Sequence, residues 1–178
     1  PEQNFTYIAA IRPRMVFITD IRRGNLHLHL MYKALFELSA DRAEFVSRLF
    51  SRKRPSGLGG QSTVQQIMAA YADPWPRSQE LFKQNTGAIR RVLASKSERS
   101  VTEADLKGIE EVYEEFYTRG PEIRYEVTPG SPGSFPSYSE IVAATDDASV
   151  PRGFLATEEN FALVKDLQSR NLIVPVVG

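Results

Sequence analysis

The sequence predicts an α/β fold: an open sheet, mostly helical in this segment, with a large helical insertion between two αβ units. Three observations carry that expectation. "MVFITD" (15–20) and "NLIVPVV" (171–177) are short β-rich runs, each following a stretch with helical spacing of apolar residues. Laid without gaps over residues 157–174, residues 1–18 repeat Glu2/Glu158, Asn4/Asn160, Phe5/Phe161 and Arg14/Arg170, with apolar matches at Ile8/Val164, Ile11/Leu167 and Phe17/Ile173. The residues between the two runs read as successive helices, so two parallel strands would be joined by a long crossover.

Phe5, Ile8 and Ile11 give the first helix, and "RPR" ends it before the first strand. Gly24 and Asn25 then supply a turn and an N-cap for "LHLHLMYKALFELSA", where Leu28, Met31, Leu35 and Leu38 share a face. "DRAEFVSRLF" follows and stops at "RPSGLGG". Ser62 or Thr63 caps "TVQQIMAAY", "DPWP" breaks it, and Ser78 opens a helix that Gly87 weakens. "TEAD" at Thr102 has the form of a capping box, and its helix runs to Gly120, a natural C′ residue. "TPGSPGSFPS" (128–137) is a loop, Ser137 with Glu140 caps a short helix, and Thr157 opens the last one.

At 178 residues, 42% hydrophobic and 25% charged, the chain suits one globular domain, here 1–178 with 26–150 as the helical insertion. No apolar run approaches the roughly 18 to 20 residues of a membrane span, so no membrane partner is expected and a cytoplasmic address is the default. Without cysteine there is no disulfide framework, thiolate metal site or cysteine nucleophile. Residues 1–91 carry 14 Lys+Arg against 7 Asp+Glu, and residues 92–178 carry 8 against 15, which cancels overall. That balance does not favour general nucleic-acid binding.

Asp20 stands at the exit of the most apolar short run. An acid at the carboxyl end of a strand accepts hydrogen bonds from the ribose hydroxyls of a dinucleotide or adenosyl ligand in doubly wound proteins. Equally, it ends a strand by capping a turn or pairing with Arg22 or Arg23.

"PEQNFTYIAAIRPRMVFITDIRRGNLHLHLMYKALFELSADRAEFVSRLFSRKRP", together with "RGFLATEENFALVKDLQSRNLIVPVVG", resembles an uncharacterised bacterial family with a Rossmann-like, S-adenosylmethionine methyltransferase-like fold. The resemblance implies a Rossmann-like sheet and S-adenosylmethionine as cofactor. It also implies a glycine loop before Pro1 and further strands after Gly178, so that this segment would be an incomplete domain. Asp20 takes the ribose-binding position, and Arg22, Gly24 and Asn25 in the following turn belong to the cofactor site. No catalytic residue or methyl acceptor follows from it. The alternative is a methyltransferase-like scaffold that binds partners without catalysis, and an NAD-dependent oxidoreductase is a weaker third choice.

Other candidates are sparser. Arg152, before the second αβ unit, and Tyr138, beside the Gly/Pro loop, are candidate substrate-binding residues, with Tyr125 and Phe135 completing an aromatic lid. His27 and His29 are two apart, point away from one another on a helix and cannot share a metal, so they read as surface or boundary histidines. Arg48, Arg52, Lys53 and Arg54 complement a helix C-terminus, and Glu110, Glu111, Glu114 and Glu115 form a solvated face.

Overall fold

Side-chain caps set most helix starts in the computed structural model, which describes residues 2–72, 74–95, 101–125 and 135–178. Thr63, Thr102 and Ser137 each accept from the N3 amide, and Gln66, Asp105 and Glu140 reach back to the cap residue. Asp41 and Thr157 cap in the simpler way. The resulting order is α1 (Gln3–Ile11), β1 (Val16–Asp20), α2 (Arg23–Leu38), α3 (Arg42–Phe50), α4 (Val64–Tyr71) and α5 (Gln79–Ser95). There follow α6 (Glu103–Arg119), a 3-10 turn (Gly120–Glu122), α7 (Tyr138–Ala143), α8 (Glu158–Ser169) and β2 (Ile173–Val177).

The open Rossmann-like sheet expected above does not form. Among the described residues the sheet has two short strands, β1 and β2, paired in parallel from Val16 beside Ile173 to Asp20 beside Val177, and every other element in the order above is a helix or helical turn. The physical reason lies in where the helices bury their apolar faces. α2 packs against α3, α5, α6 and α8 as well as β2, so most helices cover one another rather than the faces of a wide sheet. The two αβ units do exist, and α1 packs on α8 beside the paired strands.

The core is aromatic. Phe5, Tyr32, Phe36, Phe45, Phe154 and Phe161 are buried together, with edge and tilted ring contacts such as Phe36–Phe45 at 4.7 Å and Phe5–Phe154 at 5.3 Å. Polar staples tie the helices. Arg42, 1% exposed, donates to Glu158 Oε1 at 2.9 Å and to the carbonyls of Leu155, Ala156, Gly60 and Ser62. Glu2, the counterpart of Glu158 in the internal repeat, is buried and accepts from the hydroxyls of Tyr32 and Tyr125.

Two glycines are required by their surroundings. A Cβ on Gly108 would lie 2.2 Å from His27 Nδ1, so this residue lets α6 approach α2 closely. Gly120 has φ +61° and leaves room for the buried Arg52 guanidinium, which a Cβ would meet at 2.5 Å. Among the described residues no helix is long and apolar enough to cross a membrane.

Candidate functional site

β1, one side of α1 and the first turns of α2 line a groove of about 780 Å³, bordered by Asn4, Tyr7, Ile8, Ile11, Pro13, residues 15–20, Asn25 and His29. Its polar end is built where β1 runs into α2. The chain turns within two residues, and Asp20 holds the turn: Oδ1 accepts the Arg22 amide at 2.8 Å and Oδ2 accepts Asn25 Nδ2 at 2.6 Å. Those two hydrogen bonds, the backbone one foremost, hold the Asp20 carboxyl below its ordinary range, so it is ionised at neutral pH. Each oxygen keeps a further lone pair for an outside donor.

Asn25 is therefore not the N-cap expected from sequence. α2 begins at Arg23 with Arg22 in the cap position and no side-chain cap, which places Asn25 inside the first turn with its amide turned back to Asp20. Asp20 itself supplies the negative charge that a helix N-terminus favours.

One turn after Asn25, on the same face, comes His29. Only 3% of it is exposed, its ring stands edge-on to Phe5 at 5.6 Å, and its buried Nδ1 has no hydrogen-bond partner. Burial lowers its pKa to about 4, against a small opposing pull from Asp20, so the imidazole is neutral at pH 7. The surface or boundary position expected for it is thus wrong, although the Asn25/His29 spacing was a usable signal in the sequence.

Of the sequence-based candidates, the groove gathers Asp20 and Asn25, with Arg22 contributing its amide. Gly24 lines a separate hollow of about 330 Å³ with Leu28, Val112, Phe116 and Tyr125, and a Cβ there would touch nothing within 4 Å. Arg152 lies elsewhere on the surface and pairs with Asp146 at 2.8 Å. Tyr138 is fully buried beside Phe50 and Phe116. Neither lines the groove. Most of the expected lid, residues 126–134, lies outside the described residues, while Phe135 is exposed at its end.

His27 instead joins a second polar knot: its Nε2 is 3.1 Å from Asp105 Oδ1, which also accepts from Arg23 at 2.7 Å. Thr102 donates to the other oxygen, and these contacts hold the Asp105 carboxyl far below its usual range against the opposing effect of burial. This knot fastens the starts of α2 and α6, and it accounts for His27 and Gly108 without a ligand.

Fold and groove together define a predominantly helical α/β chain with a small parallel sheet and a carboxylate at the carboxyl end of its first strand. The chain belongs to the family described as a domain of unknown function, DUF7790, whose model matches residues 1–178. Neither a curated protein nor a solved structure matches it.

Proposed function

We propose that the β1 groove binds S-adenosylmethionine through its adenosyl group, and that the chain is a methyltransferase-like protein whose acceptor is undefined. The observation that carries this reading is Asp20, an ionised carboxylate at the carboxyl end of a strand, pinned by two donors and facing a groove with a neutral histidine. A vicinal diol offers two hydroxyl donors, and a fixed carboxylate accepts both.

The surroundings suit the rest of such a ligand. A volume of about 780 Å³ lies within the range of small-molecule sites. Ile8, Val16 and Phe17 offer apolar surface to a flat base, and the unpartnered His29 Nδ1 is a polar atom that a ligand would satisfy. Asp20 would hold the ribose, Asn25 would fix the carboxylate's orientation, and the neutral imidazole would supply a hydrogen bond without adding charge beside a sulfonium. When bound, the cofactor supplies an electrophilic methyl group; the chain's part is alignment, which needs few diagnostic side chains.

Calorimetric titration with S-adenosylhomocysteine, with NAD as comparison, tests the reading. Saturable adenosyl binding with NAD weaker is the expected result, and Asp20→Ala should weaken it at least tenfold. A folded, monodisperse sample that binds neither ligand would contradict it, and equal binding of NAD would reduce it to a general ribose site.

A further inference from the structure

The same strand shows a second feature that the nucleoside reading does not use. In the parallel pair, the Val16 amide donates to Leu172 O at 2.8 Å and the Asp20 carbonyl accepts from the Gly178 amide at 3.1 Å. With the register of Val16 on Ile173, the main-chain groups of Val16, Ile18 and Asp20 are the ones that face β2. Those of Phe17 and Thr19 therefore face the opposite edge of β1, which has no partner strand among the described residues.

The two outer edges of this sheet differ. On β2 the alternate position facing outward is Pro175, which has no amide hydrogen and so blocks strand addition on that side. β1 carries no proline, charge or bulge between Val16 and Thr19, and its edge is apolar and open. Phe17 is 63% exposed and Ile21 84%, with Met15, Tyr7 and Ile11 also exposed beside the groove. Such a row is unusual on a finished surface, because an unguarded apolar edge pairs with any strand that reaches it.

Charge selects the occupant further. At the entry to β1, Arg12 is already paired with Glu159 at 2.6 Å, but the neighbouring exposed Arg14 has no ion pair among the described residues. At the far end stands the ionised Asp20. We infer that the free edge of β1 accepts an extended polypeptide segment as a third strand, apolar at alternate residues, with an acidic residue beside Arg14 and none beside Asp20. Main-chain hydrogen bonds to Phe17 and Thr19 would hold it, and Tyr7, Ile11 and Phe17 would pack on its side chains. The inference rests on the open main-chain edge of β1, but it shares Phe17 and Asp20 with the nucleoside reading, so the two occupants would compete for one groove.

The test uses the full chain and two synthetic peptides of alternating valine and threonine, one with aspartate at its first position and one with aspartate at its last. Whichever direction the strand takes, one peptide sets its acid beside Arg14. Titration followed by fluorescence anisotropy should show that peptide binding about tenfold more tightly than the other, and Arg14→Glu should remove or reverse the difference. Thr19→Pro deletes an outward amide while leaving the β2 ladder intact, and should abolish binding. N-methylation of alternate peptide amides tests the same bonds on an unaltered protein and should also abolish it. Binding that survives both changes would overturn the inference. So would a β1 edge already closed by a second copy, seen as a dimer that Thr19→Pro converts to monomer. S-adenosylhomocysteine titration of the unaltered protein and of Arg14→Glu keeps the two readings separable, because Arg14 lies outside the groove lining and the N-methylated peptide leaves the protein unchanged.

Discussion

The aromatic interior and the rim of β1 treat the same kind of side chain in opposite ways. Phe5, Phe36 and Phe45 are fully enclosed and touch several other rings, whereas Phe17 and Ile21, on β1 and just after it, stand open to solvent. A chain able to bury so many rings had the means to cover two more apolar side chains. The exposed row is therefore local to one strand and to the groove beside it, which is where the ionised carboxylate and the unpartnered histidine also sit. The first region carries the packing, and the second is where binding is proposed.

Substitutions sharpen that contrast. Phe45→Ala should be the most damaging, by about 3 to 5 kcal/mol, because it empties the centre of the ring cluster. Arg42→Met should cost nearly as much, about 3 kcal/mol or more, since Glu158 and four carbonyls lose their donor in a buried setting. Urea denaturation of each variant reads both values.

His29 bridges the two regions and gives the pH dependence. Its pKa in the folded chain, about 4, lies below the ordinary 6.5, so the unfolded chain takes up the proton first. The stability that depends on a neutral His29 is complete above about pH 6.5 and falls away as pH drops toward 4, by up to about 3 kcal/mol. Denaturation at several pH values should show this loss, and His29→Leu should flatten it within that window. The smallest effect belongs to the rim: Phe17→Ala should leave stability within about 0.5 kcal/mol while weakening peptide binding at β1. A large loss of stability there would erase the distinction between core and rim.

Much of the helical pattern was legible because its signals are local. Thr102, Ser137 and Thr157 cap helices where the sequence predicts caps, Thr63 is the cap of the two residues offered for α4, and both β-rich runs are strands. The extent of the sheet was not legible. An αβ repeat specifies that two strands lie parallel, but it says nothing about a third, and the apolar stripes of α2, α3 and α6 read alike whether they cover a sheet or one another. Asp20 was visible as an acid at a strand exit. The hold of Asn25 on it was hidden by a plausible capping role, and the burial of His29 depends on Phe5, which comes from a helix before the strand. Tyr138 and Arg152 were chosen for chemistry without position, and packing put one in the core and the other against Asp146.

The most direct test of the Asp20 groove is an amide NMR titration with S-adenosylhomocysteine, reading the Arg22 backbone amide and the Asn25 side-chain amide, the two groups that hold the carboxylate. Saturable shifts in both, together with His29 and absent in Asp20→Ala, are the predicted result. Saturable binding that leaves these signals unmoved, or that survives in Asp20→Ala, would place the ligand elsewhere and contradict the account.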